Sequence, residues 1–115
     1  MTIMIVEDNP AMRKTIRDVA AAKTDTVIEC SNGEEAVTSF AQHYPDWVLM
    51  DINMPVLDGV SATKRIMSAH PSAKIVMVTD SDNESFRIAA KKAGACGYVL
   101  KENLFELQTV LYYHS

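Results

Sequence analysis

The sequence predicts a doubly wound α/β domain, in which helices cover both faces of a parallel sheet. Segments typical of strands and segments typical of helices alternate five times along the 115 residues. Trp47–Met50 and residues 75–78 are apolar without alternation, as expected of strands that are buried on both faces. Because a helix follows each strand, successive strands are expected to run parallel, connected by right-handed crossovers.

The first half of the chain contains three predicted strands and the two helices between them. These strands are Thr2–Val6, Thr26–Cys30 and Trp47–Met50. Asn9 is the expected N-cap of the first helix, with proline directly after it, and the apolar stripe of this helix extends to about Lys23. The second helix is predicted to open with a Ser-x-x-Glu capping box formed by Ser31 and Glu34.

The second half continues the same alternation. The predicted strands are residues 74–79 and Gly97–Leu100. A third helix is expected after Gly59. Asp82 or Asn83 can cap a fourth helix, which Gly94 closes, and the last helix is expected to end near Tyr113.

Composition excludes several classes of protein. The net charge of -4 gives no footprint for non-specific nucleic-acid binding. Cys30 and Cys96 are too few for a disulfide framework or a zinc site and are predicted to be reduced core thiols, while His43, His70 and His114 share no ligand spacing and are expected at the surface. Neither a membrane span nor a signal peptide is recognisable, so a soluble, cytoplasmic protein is expected.

Four of the five predicted strands end in side chains that can carry chemistry. Glu7 and Asp8 follow the first strand, Asp51 the third, Thr79 ends the fourth and Lys101 follows the fifth. The carboxyl ends of parallel strands meet at one edge of the sheet, where open α/β sheets bind ligands. This edge, called the carboxyl edge below, is therefore the predicted site.

The predicted chemistry of this site is phosphoryl transfer to a carboxylate. Clustered carboxylates attract Mg²⁺, which also accepts a phosphate oxygen. Lys101 and Thr79 can bind further phosphate oxygens, and Asp51 is the natural nucleophile because a carboxylate can form an aspartyl phosphate. Taken alone, Asp51 is equally well explained as the cap of the next helix.

Over essentially its whole length, residues 1–115, the chain resembles a receiver domain of two-component response regulators. The matching residues are Glu7-Asp8, the run Asp51-x-x-Met54-Pro55-x-x-Asp58-Gly59, Thr79, and Gly94-Ala95-Cys96-Gly97-Tyr98-Val99-Leu100-Lys101. Together these motifs are highly specific, although each alone would be weak. The resemblance implies a flavodoxin-like sheet with the strand order 2-1-3-4-5 and five helices.

The resemblance also assigns roles to residues at the carboxyl edge. It implies that a histidine kinase, a phosphotransfer protein or a small phosphodonor phosphorylates Asp51. Glu7 and Asp8 would form an acidic pocket, in which Asp8, Asp51 and the backbone carbonyl of Asn53 hold Mg²⁺. Such a domain catalyses only its own phosphorylation and dephosphorylation and is not otherwise an enzyme.

Thr79 and Tyr98 match the switch residues of that family. Tyr98 would turn inward as Thr79 and Lys101 bind the phosphoryl group, which changes the face formed by the fourth helix, fifth strand and fifth helix. An output domain, a separate target protein or a second copy of the chain could then bind. The alternative for Tyr98 is an ordinary half-buried strand residue.

Two residues depart from the family pattern. Glu102 stands where many members have proline after the lysine, so a cis peptide there would be a costly non-proline one. Asp80 stands after Thr79 where small residues are commonest, and it either bonds the following turn or faces the phosphoryl site.

Two other functions fit parts of the pattern. A haloacid-dehalogenase-like phosphatase also uses an aspartyl nucleophile, but it needs a second Asp two residues later, where this chain has Asn53. A degenerate receiver would bind partners without being phosphorylated. Acetyl phosphate with Mg²⁺, followed by intact mass, distinguishes these alternatives from a phosphorylated receiver.

Overall fold

Five parallel strands form one sheet in the computed structural model, which describes residues 1–113 and, for the last of these, the backbone alone. The strands are β1 (Thr2–Val6), β2 (Thr26–Cys30), β3 (Trp47–Met50), β4 (Ile75–Thr79) and β5 (Gly97–Leu100). The α-helices are α1 (Pro10–Ala20), α2 (Gly33–His43), α3 (Gly59–Ala69), α4 (Glu84–Ala93) and α5 (Glu106–Tyr113). The strand order β2-β1-β3-β4-β5 confirms the predicted fold class.

The core consists of two apolar layers, one on each face of the sheet. Met4 and Val6 of β1 pack in the layer that α2, α3 and α4 cover, whereas Ile3 and Ile5 pack in the layer that α1 and α5 cover. Each of these four side chains is at most 1% exposed, and fully burying one contributes about 1.5–3 kcal/mol. Burial on both faces explains why β1, β3 and β4 are apolar without alternation.

Parallel pairing brings the carboxyl ends of the strands together. Val6 of β1 pairs with Met50 of β3, and the backbone N–H of Asp51 donates to the Val6 carbonyl at 3.0 Å. On the other side of β3, Met50 pairs with Met77 of β4. The residues that follow β1 and β3 therefore lie side by side at the carboxyl edge.

The predicted boundaries of the first helix are only partly correct. Asn9 caps α1 and accepts from the N–H of Met12 at 3.0 Å, as expected. The helix ends at Ala20 instead of near Lys23, because Ala21 is extended and its N–H bonds to the carbonyl of Arg17. Apolar periodicity does not detect this change in backbone conformation.

The capping box of α2 is displaced by one residue from the prediction. The N-cap is Asn32, whose side chain accepts from the N–H of Glu35 at 2.9 Å. The carboxylate of Glu35 accepts in turn from the hydroxyl of Ser31 at 2.6 Å. Glu34 points elsewhere and pairs with Arg65 of α3 at 2.8 Å. The prediction of a capping box formed by Ser31 and Glu34 is therefore wrong by one position.

The remaining boundaries agree more closely with the sequence. Asn83, one of the two candidates, caps α4, and Gly94 closes it with a positive φ of 109°. The chain then enters α5 through a 3₁₀ turn at Lys101–Asn103. No cis peptide occurs among residues 1–113, so the bond before Glu102 is trans.

Cysteine and histidine positions differ from expectation in two cases. Cys30 is buried as predicted, but Cys96 is exposed, since it precedes the edge strand β5. His43 is exposed, whereas His70 is half-buried with its ring 4.9 Å from that of Phe40. The surface position expected of His114 lies outside the described residues. No helix of residues 1–113 has the length and apolar character to cross a membrane.

Candidate functional site

Three carboxylates converge at the carboxyl edge of the sheet. Oxygen atoms of Glu7, Asp8 and Asp51 all lie within 4.8 Å of one another, as ligands of one metal ion would. Glu7 and Asp51 are 1% and 4% exposed, whereas Asp8 is exposed to solvent. This acid cluster therefore has two buried members and one that opens the site to water and ions.

Lys101 extends into the acid cluster from the end of β5. Its Nζ lies 2.7 Å from Oε1 of Glu7 and 3.6 Å from Oδ2 of Asp51. The second oxygen of Glu7 accepts from the backbone N–H of Asn9 at 3.1 Å. Glu7 is therefore hydrogen-bonded through one oxygen and ion-paired with Lys101 through the other, which has no hydrogen-bond partner among the described residues. Lys101 is closer to Glu7 than to Asp51.

Burial and the neighbouring charges change the pKa of Asp51. Burial, followed by the charge of Glu7, raises the pKa of Asp51 from 3.8 to about 6, although Lys101 opposes this effect. Burial by itself would lower the pKa of Lys101, but the hydrogen bond to Glu7 and the charge of Asp51 raise it above its usual value. The cluster thus favours a cation that could approach Asp51.

Asp51 does not cap the next helix. Its Oδ1 accepts from the N–H of the following residue, Ile52, at 2.9 Å. Asp58 is the N-cap of α3, accepting from the N–H of Ser61 at 2.9 Å and from its hydroxyl at 2.8 Å. The capping interpretation of Asp51 is therefore wrong, and Oδ2 is directed toward Lys101.

The loop between β3 and α3 is held close to Asp51. A side chain at Gly59 would overlap the backbone carbonyl of Asp51, so only glycine permits this approach. The N–H of Gly59 donates to the carbonyl of Ile52 at 2.8 Å. Within the loop, Val56 has a φ of 68°, which is strained for a β-branched residue. Asn53 is exposed two residues after Asp51, and the role of its carbonyl remains a prediction.

Thr79 and Tyr98 both contact Ser81, which the sequence did not identify as a site residue. Thr79 is fully buried, and its hydroxyl oxygen accepts from the N–H of Ser81 at 3.3 Å. The hydroxyl of Tyr98, a half-buried residue, donates to the carbonyl of Ser81 at 2.7 Å. In the sequence, Ser81 is marked only by its position two residues after the threonine that ends β4. Serine is common in such turns, so this position does not indicate a site residue.

Asp80 is exposed one residue beyond the last pair of β4 and β5, Thr79 with Leu100. Asp80 and Lys101 therefore each follow a paired strand end at the carboxyl edge. The charge of Asp80 is the smallest of the effects that raise the pKa of Lys101. Asp80 therefore contributes negative charge on the side of the site where Lys101 lies.

A family model for the response regulator receiver domain matches residues 3–111. This chain belongs to that family. The receiver domain is 39% identical over 106 residues to the transcriptional regulatory protein YxjL of Bacillus subtilis, covering 90% of this chain and 49% of the relative. It is 38% identical over 100 residues to the chemotaxis protein CheY of the same organism, covering 86% and 83%.

Solved structures agree with the fold of the receiver domain. A two-component response regulator of the LuxR family from Aurantimonas sp. SI85-9A1 superposes with a TM-score of 0.82 at 32% identity, covering 87% of this chain and 73% of that one. The receiver domain spans about half the length of the first transcriptional regulators it matches, at 49% and 43% of each.

Proposed function

We propose that this receiver domain accepts a phosphoryl group on Asp51 and thereby changes its affinity for a partner. The observation that carries the proposal is the buried Asp51 carboxylate, grouped with Glu7 and Asp8 and 3.6 Å from the Nζ of Lys101. An acid cluster beside a lysine provides both a nucleophile and the charges that bind a phosphoryl group.

The acid cluster also has the donor set that Mg²⁺ prefers, carboxylate oxygens with one side open to water. Asp8 and Asp51, together with the backbone carbonyl of Asn53, would hold the ion, and Glu7 would complete the acidic pocket. When bound, Mg²⁺ supplies positive charge that neutralises the carboxylates and the phosphoryl oxygens.

In the reaction, an oxygen of ionised Asp51 attacks phosphorus while the bond from phosphorus to the donor breaks, and the donor leaves with that electron pair. Lys101, which pairs with Glu7 in the free protein, then donates to a phosphoryl oxygen, and the hydroxyl of Thr79 donates to another. Attack of water on the same phosphorus returns Asp51 and inorganic phosphate. The domain thus promotes only its own phosphorylation and dephosphorylation.

A histidine kinase or a phosphotransfer protein is the proposed donor, in the cytoplasm. The receiving partner is an output domain, a target protein or a second copy of the chain. The named relatives support the first two of these, since one is a transcriptional regulatory protein and another is a chemotaxis protein. Domain bounds of 1–115 remain part of the proposal.

Intact mass after incubation with acetyl phosphate tests the proposal. Wild type should gain one phosphoryl group with Mg²⁺ and none with EDTA, and Asp51→Asn should gain none. Lys101→Ala should keep Mg²⁺ binding and lose the switch, because it removes a phosphate ligand and no metal ligand. If Asp51→Asn is labelled as fully as wild type, Asp51 is not the residue that accepts the phosphoryl group. Release of phosphate with no phosphorylated protein detected would indicate a phosphatase, and unchanged mass with no release of phosphate would indicate an adaptor.

A further inference from the structure

Ser81 connects the two residues proposed to switch the domain. Its N–H donates to the oxygen of the Thr79 hydroxyl, and its carbonyl accepts from the hydroxyl of Tyr98. Because the Thr79 oxygen is already an acceptor of this bond, its own O–H is free to donate to a phosphoryl oxygen. Ser81 therefore bonds both Thr79 and Tyr98 and leaves the O–H of Thr79 available as a donor.

Arg87 of α4 contacts both the ring of Tyr98 and the loop that contains Ser81. Its guanidinium carbon lies 4.4 Å from the centre of the Tyr98 ring, within cation–π distance. Its Nε donates to Oδ1 of Asp82 at 2.7 Å, and Asp82 is the residue that follows Ser81. A single helical side chain thus joins the ring of Tyr98 to the loop that carries Ser81.

The two contacts of Arg87 are separate from the caps at the two ends of α4. Asn83 caps the helix through the N–H of Ser85, and Gly94 closes it. The side chain of Arg87 is 41% exposed, so its removal leaves no buried charge without a partner. Its two contacts therefore serve mainly to fix Tyr98 against the loop.

We infer that Arg87 is a positioning residue for the phosphoryl site, because it keeps the Tyr98 hydroxyl on Ser81 and thereby holds Ser81 where its N–H bonds the Thr79 hydroxyl. The part of this inference that concerns the phosphoryl group depends on the proposed function. The part that concerns Tyr98 does not, since it describes the free protein.

Binding of beryllofluoride with Mg²⁺, a phosphoryl mimic, tests the effect on the site. Arg87→Ala should weaken this binding about two- to five-fold, the range expected when an exposed cation–π contact is lost. Arg87→Lys keeps a cation over the ring but not the planar pairing with Asp82, and should recover part of the loss. Lys91→Ala is the matched control: Lys91 lies one turn later on α4 and lines the same shallow cavity beside Tyr98.

A double-mutant cycle tests whether Arg87 acts through Tyr98. In a Tyr98→Ala background, Arg87→Ala should have no further effect on beryllofluoride binding. Binding by Arg87→Ala equal to wild type, or the same weakening with and without Tyr98, would overturn the inference.

NMR of the Tyr98 ring in the metal-free protein separates this inference from the proposed function. Arg87→Ala should shift and broaden the Tyr98 signals, whereas Lys91→Ala should leave them unchanged. Unaltered Tyr98 signals in Arg87→Ala would overturn the inference even if beryllofluoride binds. If wild type does not bind beryllofluoride, the proposed function fails, and the ring signals still decide whether Arg87 positions Tyr98.

Discussion

Replacing Asp51 with Asn is expected to make the metal-free protein more stable at neutral pH. Asp51 is 4% exposed, and burial, then the charge of Glu7, raises its pKa from 3.8 to about 6. Between these two pKa values the folded state therefore holds a proton that the unfolded chain has released. Ionising this carboxyl group at pH 7 costs folding free energy, on the order of 3 kcal/mol. Asn removes the charge, and Lys101 keeps its 2.7 Å contact with Glu7.

The predicted effect has a definite pH dependence. Well below pH 3.8 the carboxyl group is protonated in both states, and the two variants should have similar stability. Between about pH 4 and pH 6 the folded wild type binds more protons than the unfolded chain, so its stability falls as the pH rises. Asp51→Asn lacks this loss, and the difference between the variants should be complete by about pH 7.

Urea and thermal unfolding in EDTA between pH 4 and pH 8 measure this difference. A gain on the order of 3 kcal/mol raises the Tm by roughly 10 °C for a chain of this size. Asp18→Asn is the control: the Asp18 side chain is 61% exposed and pairs with Lys14, so its replacement should change stability by less than about 0.5 kcal/mol. Equal stability of wild type and Asp51→Asn at pH 7, or a difference independent of pH, would refute the reasoning.

Three further predictions follow from particular residues. Val56→Gly should stabilise the protein by about 1 kcal/mol, because Val56 is 77% exposed and glycine adopts its φ of 68° without strain; unfolding in urea that shows a loss of stability would contradict this. Asp80→Asn should speed labelling by acetyl phosphate about two- to five-fold at low salt, because it removes a negative charge that repels the incoming dianion; in water such repulsion is on the order of 1 kcal/mol at contact-range distances before screening. The control Asp18→Asn should not change the rate of labelling. Equal rates for Asp80→Asn and wild type at every salt concentration would show that the charge of Asp80 does not slow labelling. Mg²⁺ should quench Trp47 fluorescence little, because Trp47 lies four residues before Asp51 on β3, roughly 13 Å away. Strong saturable quenching that Asp51→Asn abolishes would contradict this placement.

The sheet and the acid cluster could be predicted because both follow from where the strands end. Apolar strands buried on both faces leave a distinct pattern, and parallel topology then requires Glu7 and Asp51 to meet at one edge. The displaced capping box of α2 was not predictable in the same way. Glu34 and Glu35 are adjacent carboxylates, and only the position of Arg65 on another helix shows which of them is drawn away from the cap.

The contacts of Lys101 and Arg87 also could not be predicted from the sequence. The pattern places Lys101 at the carboxyl edge, but its preference for Glu7 over Asp51 is a difference of 0.9 Å between contacts of 2.7 and 3.6 Å. Arg87 on α4 follows no motif, and its role depends on a tyrosine from β5 that lies beneath it. Such contacts join elements that are distant in sequence, where local patterns carry no information.

The ionised carboxylate of Asp51 destabilises the folded protein at the same position where a ligand would bind. Burial and the charge of Glu7 raise the pKa of Asp51, and Lys101, which lies closer to Glu7, only partly offsets this effect. A divalent cation that binds the folded state alone stabilises it by RT ln(1 + [L]/Kd), which is about 2.7 kcal/mol at a concentration 100 times the Kd. This gain is of the same order as the cost of ionised Asp51. Asp51→Asn removes the cost together with a ligand, so it should gain stability without Mg²⁺ and gain much less from Mg²⁺ than wild type does. If the proposed function holds, the carboxylate that destabilises the free protein is therefore also a ligand of the ion.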